Sequence, residues 1–239
     1  MMKKVLLVCI LLYPSINAHS QVLISLIFGE ELNSGNVEFG LDGGVNLASM
    51  TGAPDSKHTT LFNLGFYFDI KLGDPSWMLH TGVIVKSTMG TANSPIYPLN
   101  DASLDSAFTG GSVTTNLSYF NVPIMLKYRM PNRFFVEGGI MAGLLYNAYD
   151  NFIHTRGEDD NLTYEHKVKN EYHPLDFGLV AGVGYRIMGD DGMNLGIRYY
   201  YGLIDVYIDD SGASRMNRSL YFTLGIPIGA QSKTDDDKK

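Results

Sequence analysis

The 239-residue chain carries 18 lysines and arginines against 25 aspartates and glutamates, a formal net charge of −7, with 26 glycines, 15 tyrosines and 12 phenylalanines. That balance argues against nucleic acid as a partner. The single cysteine, Cys9, leaves no disulfide framework and no cysteine metal site, so a turn-rich β chain remains.

Residues 1–20 read as a secretory signal peptide. Lys3 and Lys4 precede the apolar run Val5 to Tyr13, and Ala18-His19-Ser20 places cleavage between Ser20 and Gln21. Cys9 lies inside the run, which argues against lipoprotein acylation. No later segment has the roughly 18 consecutive apolar residues of a membrane-spanning helix. An exported chain of this kind is either soluble beyond the inner membrane or a β-barrel in an outer membrane. Residues 21–36 place Val22, Leu23, Leu26 and Ile27 opposite Glu30 and Glu31, which fits a short helix or a loosely packed lead-in.

From residue 37 the pattern has period two. Phe39, Leu41 and Val45 oppose Glu38, Asp42 and Asn46; Phe62, Leu64, Phe66, Phe68 and Ile70 oppose Asn63, Gly65, Tyr67, Asp69 and Lys71. After the turn Gly73-Asp74-Pro75-Ser76, Trp77, Leu79, Val83 and Val85 oppose Met78, His80, Gly82 and Lys86. A polar stretch over 88–116 has no sustained period and reads as a long loop. Next comes the clearest hairpin: Phe120 to Tyr128, a short Met-Pro-Asn turn, then Phe134 to Tyr146, with Asn147 on the polar face. Within it, Pro123 removes a ladder donor and predicts a local bulge. A second long loop is expected over 150–173. Three further strands follow: Leu175 to Ile187, Leu195 to Leu203 and Leu220 to Ile228, and 229–239 read as a disordered charged tail. The expectation is therefore an all-β, eight-stranded, antiparallel up-and-down transmembrane barrel over 37–228. Short turns alternate with longer loops, and both termini lie on the periplasmic side of the cell outer membrane.

The glycines decide which face is inside. Gly40, Gly44, Gly65, Gly82, Gly139, Gly143, Gly178, Gly182, Gly184, Gly196 and Gly225 share the polar register, where a narrow lumen needs small residues between bulky ones. The apolar register, free of charge as read, then faces lipid. Trp77, Tyr128, Phe134 and Tyr185 form one interfacial girdle; Phe62, Phe120, Tyr146, Phe177, Tyr201 and Phe222 form the other.

The predicted lumen places Glu38, Asp42, Asp69, Glu137 and Asp176 against Lys71, Lys86, Lys127, Arg186 and Arg198. Buried charges are expensive unless paired, so a structural ion network filling the barrel is the first reading. A narrow pore gated by Lys127, Glu137 and Arg186 is the alternative. Loop histidines His154 and His173, with Asp150 and Asp176 nearby, offer a weaker case for a loop-borne lipid-modifying enzyme, and no motif fixes them. The acidic runs Glu158-Asp159-Asp160 and Asp209-Asp210 read as solvated loops rather than sites for cations bridging lipopolysaccharide. No catalytic residue, metal site or cofactor is assigned.

The segments SYFNVPIMLKY, FFVEGGIMAGLLY, DFGLVAGVGYRI and LGIRYYYGLIDV resemble those of the PorT-like outer-membrane β-barrel proteins of Bacteroidetes. The founding member of that family is implicated in protein secretion across the outer membrane. The resemblance implies a non-enzymatic envelope structural or interaction role, with an accessory part in secretion as its sharpest form. Outer-membrane lipid, lipopolysaccharide and envelope or secretion proteins are the implied partners. Many such barrels end on an aromatic residue read by the insertion machinery. This chain continues past Ile228 into charge, so an insertion signal would lie within 221–228.

Overall fold

A computed structural model describes residues 35–53, 55, 57–155, 161–189, 192–209 and 212–228. The signal peptide with its Ser20–Gln21 junction, the lead-in over 21–34 and the tail over 229–239 lie outside them. The strands are β1 (Val37–Met50), β2 (Thr59–Leu72), β3 (Asp74–Ser94), β4 (Ser112–Arg129), β5 (Phe134–Thr155), β6 (Asn161–Lys167), β7 (Leu175–Arg186), β8 (Asn194–Gly202) and β9 (Asn217–Pro227). All pairings are antiparallel, and β1 meets β9 from Gly40↔Pro227 to Met50↔Asn217. This closes a ring of eight in the order β1, β2, β3, β4, β5, β7, β8, β9. β6 stands outside the ring and extends the end of β5, from Tyr149↔Lys167 to Thr155↔Asn161. No helix among the described residues is long and apolar enough to cross a membrane.

Alternation along each strand separates the two surfaces of the ring. Phe62, Val122, Ile124, Leu126, Val136, Leu144, Leu179, Val183, Ile197 and Leu224 are exposed on the outside. Such an apolar band suits lipid and not water. Paired rings mark its borders. Trp77–Tyr128 (4.7 Å) and Phe134–Tyr185 (4.9 Å) lie at the end with the short turns, and Phe120–Tyr146 (4.5 Å) lies at the other. Inside, glycine makes room for bulk: a Cβ on Gly40 would overlap the Tyr67 ring, and one on Gly184 the Phe135 ring. At the β2–β3 turn Gly73 takes φ +77, a left-handed conformation that glycine adopts without steric cost.

Both long loops of the sequence reading are partly strand, over 88–94 and 112–116 in the first and 150–155 and 161–167 in the second. β3, β4 and β5 run to 21, 18 and 22 residues, well beyond the roughly 9–11 needed to cross a bilayer. Their far ends, with β6 and a short helix α1 (Ala102–Ala107), build a head on the ring. Asp101 caps α1 by accepting from the amides of Ser103 and Leu104. Its hydrogen bonds, led by that from the Ser103 hydroxyl, hold this carboxyl below the usual range. The head has its own core, in which Phe108, Val113 and Phe152 are buried and Leu99, Leu104 and Tyr164 pack against them.

Irregularities hid these extensions. β3 gains an extra residue between Ile84 and Ser87 and shifts register again between Thr91 and Ser94, where Asn93 has φ 64. β5 is bulged opposite Ser118–Tyr119, so that Tyr146 and Asn147 both point outward, contrary to the inward placement of Asn147. Each bulge inverts the period-two pattern that follows it. The bulge expected at Pro123 is absent. Pro123 pairs with Met141 in unbroken register on one side, and on the other the sum of partner positions is the same before and after it, Thr81↔Ile124 and Ile84↔Asn121.

Candidate functional site

The lumen is filled in two layers. In the layer nearer the short turns Arg198 is the hub. Its Nε donates to Glu137 Oε1 at 2.5 Å, its Nη1 to Asp42 Oδ2 at 2.5 Å and its Nη2 to His80 Nε2 at 3.2 Å. His80 Nδ1 donates to Asp69 Oδ1 at 2.6 Å, and Lys127 Nζ donates to Asp69 Oδ2 at 2.8 Å. A guanidinium can only donate and a carboxylate can only accept, so this geometry requires the His80 tautomer with hydrogen on Nδ1 and a lone pair on Nε2. Arg186 Nη2 lies 2.7 Å from Glu38 Oε2, whose partner oxygen accepts from the Tyr67 hydroxyl at 2.9 Å. Arg129 Nη2 stands 3.7 Å from Asp69, and the Lys127 ammonium sits 4.3 Å from the centre of the Phe135 ring. Glu38, Asp42, Asp69 and Glu137 thus face Lys127, Arg129, Arg186 and Arg198, a neutral set in which each charge has a partner.

Above it lies an apolar and aromatic layer that includes Met89, Leu117, Tyr119, Met141, Tyr200 and Tyr221. Val168 and Val206, from the two connections that flank β7–β8 at the head end, close it from above and are themselves 1% and 0% exposed. Asp176 lies here, accepting from Asn217 Nδ2 at 2.8 Å.

Three of the sequence assignments change place. Lys86 was expected inside, but the β3 bulge turns it outward, with its ammonium 5.8 Å from the Phe62 ring. Lys71 sits at the exposed mouth and donates to Gly35 O at 2.8 Å. Asp176 is buried but separate from the ion network. The outer register is also not free of charge. Besides Lys86 it carries Arg218, whose guanidinium lies 3.6 Å from the Tyr201 ring and donates to Gly202 O at 2.7 Å. Both lie at the head-end girdle, where the polar headgroup region tolerates them. Arg129, Tyr67 and His80 complete the network. The inward parity of Arg129 after Lys127 was a usable signal for it.

The loop histidines do not meet their acids. His154 Nδ1 donates to Ala107 O at 2.8 Å, tying α1 to β5, and His173 is exposed. Among the described residues no hydrogen bond joins either histidine to Asp150 or Asp176, and no group of three or more His, Cys, Asp and Glu is placed to hold a metal. The acidic run over 158–160 and Asp210 lie outside the described residues.

Between head and barrel is a cavity of about 600 Å³ that no single stretch of sequence announces. Its walls come from the end of β1 with Ala53, the end of β3 with the β3–α1 connection, β4, β5, β6 with the 3-10 turn Lys169–Glu171 that follows it, and the β8–β9 connection. Asp150, 5% exposed, accepts from Thr115 Oγ1 at 2.6 Å and from the Tyr97 hydroxyl at 2.8 Å. Tyr172 and Tyr207 meet edge to face at 5.3 Å, and the Tyr207 hydroxyl donates to Glu171 Oε2 at 3.3 Å. Burial first, and then the neighbouring Asp150 carboxylate, push the Tyr97 and Tyr172 phenols upward; burial and Glu171 do the same to Tyr207. A second, apolar cavity of about 270 Å³ shares the wall formed by residues 96–99.

A family model described as outer membrane protein beta-barrel domain matches residues 21–207. No curated protein matches the sequence. Among solved structures, the attachment invasion locus protein Ail of Yersinia pestis is 11% identical, with 80% of this chain and 97% of that chain covered and a TM-score of 0.40. Neisserial surface protein A is 10% identical, covering 79% and 96%, with a TM-score of 0.39. OprG of Pseudomonas aeruginosa is 14% identical, covering 80% and 93%, with a TM-score of 0.37. Likeness at this level carries no inference about activity.

Proposed function

This chain belongs to the outer membrane protein beta-barrel domain family, and from that premise we propose that its barrel is an anchor and its folded head the working part. The observation that carries this reading is the lumen, filled by an ion-paired layer and then an apolar layer capped by Val168 and Val206. The anchor is non-enzymatic, made after export by a signal peptide over 1–20, with both termini periplasmic and the head extracellular. That orientation agrees with short turns at one end and long structured connections at the other. Outer-leaflet lipid and lipopolysaccharide surround the girdle where Lys86 points outward and Arg218 lies against the Tyr201 ring. Within the family, the resemblance to PorT-like proteins of Bacteroidetes supports an interaction role in the envelope, in its sharpest form as an accessory to secretion.

Planar-bilayer recordings on the refolded protein test the anchor reading. The wild type is expected to give no conductance steps at voltages where a porin conducts; reproducible steps would restore the gated pore. An unchanged exported proteome after gene deletion would remove the secretion role and leave the anchor standing.

A further inference from the structure

Among the described residues the head cavity is lined by two carboxylates, Asp150 and Glu171, and one cation, Arg215, and Asp150 is ion-paired to none. Asp150 is 5% exposed, and its partners are two neutral hydroxyls, those of Thr115 and Tyr97. The acids of the ionic layer are treated differently. Glu38, Asp42, Asp69 and Glu137 in the ionic layer each have a cationic nitrogen within 2.8 Å. Asp176, which also has no cation, sits in the apolar layer and does not line this cavity. A buried carboxylate with only neutral partners retains lone pairs and an unbalanced charge, and here it faces open space.

The surroundings define what would balance it. Glu171 supplies a second carboxylate. Tyr97, His166, Tyr172 and Tyr207 supply aromatic faces, which attract cations through the ring quadrupole. One cation of the chain already uses this wall, for the Arg215 guanidinium lies 3.8 Å from the Tyr207 ring. Two carboxylates beside rings make a poor metal site, since hard cations take six or more oxygens. The volume of about 600 Å³ falls within the roughly 300–1,000 Å³ usual for small-molecule sites.

We propose that the head cavity binds a free small organic ammonium ion, and not a lysine side chain of a partner protein, with its nitrogen on Asp150 and Glu171 and its carbon skeleton against the tyrosine faces. The proposal rests on the reading of the head as the working part and names its ligand class.

The test is calorimetry on the full chain in lipid nanodiscs, with phenethylammonium, its neutral counterpart phenethyl alcohol, and N-acetyl-lysine amide as probes. Phenethylammonium is expected to bind at least about tenfold more tightly than the alcohol, a preference that Asp150→Asn removes. The heat-dependent gel shift reports that the variant barrel is folded. Glu171→Gln, at an exposed position, keeps the pocket intact and is expected to weaken the amine about two- to fivefold. Equal affinity for amine and alcohol, or amine binding unchanged in both variants, overturns the proposal. Tighter binding of the lysine amide also overturns it, since the cation would then come from a partner protein. Absence of amine binding by a barrel that still does not conduct overturns the ligand and leaves the anchor reading in place.

Discussion

Arg198 shows how one side chain can fix an interior. It serves two carboxylates from opposite sides of the ring and a histidine lone pair, which the planar fork of a guanidinium allows and a lysine does not. Removing one partner of a buried ion set strands the rest, so Arg198→Ala is expected to cost about 3–5 kcal/mol in urea titrations of the folded barrel. Adding Asp42→Asn and Glu137→Gln to Arg198→Met should recover much of that loss. The two lysines separate the sequence reading from the structure. Lys127→Ala should destabilise the barrel by a similar amount, whereas Lys86→Ala, outward at the girdle, should cost less than about 1 kcal/mol. Comparable losses at both positions would place Lys86 inside after all. The inward parity of Glu38, Asp42, Asp69, Lys127, Glu137, Arg186 and Arg198 was readable because each sits on a strand with an unbroken alternation. Lys86 was misread because a single extra residue before it inverts the faces.

The strands of the ring were legible from the apolar alternation that a lipid-facing surface imposes. The head was not, because beyond the girdle its strands leave lipid and that pattern has no cause to persist. There the fold depends on contacts distant in sequence, such as Phe108 with Phe152 and Tyr97 with Asp150. Its cavity is assembled from six separate segments, so no local motif could announce it. Titration of the head follows from its tyrosines. Tyr97, Tyr172 and Tyr207 have phenols raised by burial and neighbouring carboxylates, while an unfolded tyrosine ionises near pH 10. Their stabilisation is therefore complete below about pH 10 and is lost as pH rises toward their folded values, since the unfolded head gives up these protons first. Alkaline titration followed at the tyrosinate absorbance should show a late phase that shrinks in Tyr97→Phe and Tyr172→Phe. A titration identical in all three proteins would contradict the buried phenols.

At the scale of the whole molecule, outer apolar bands, two aromatic girdles and a filled interior agree with the proposed lipid-embedded anchor. Among the described residues its charges lie in the lumen, the head and the two rims. The most direct test is labelling of single cysteines with a membrane-impermeant maleimide on intact cells, at Ser106→Cys on α1 and at Pro75→Cys at the start of β3, beside the β2–β3 turn, both exposed. The head position should label on intact cells, and the turn position only after the outer membrane is permeabilised. Labelling of the turn and protection of the head on intact cells would invert the orientation, and equal labelling of both would contradict the membrane-embedded anchor.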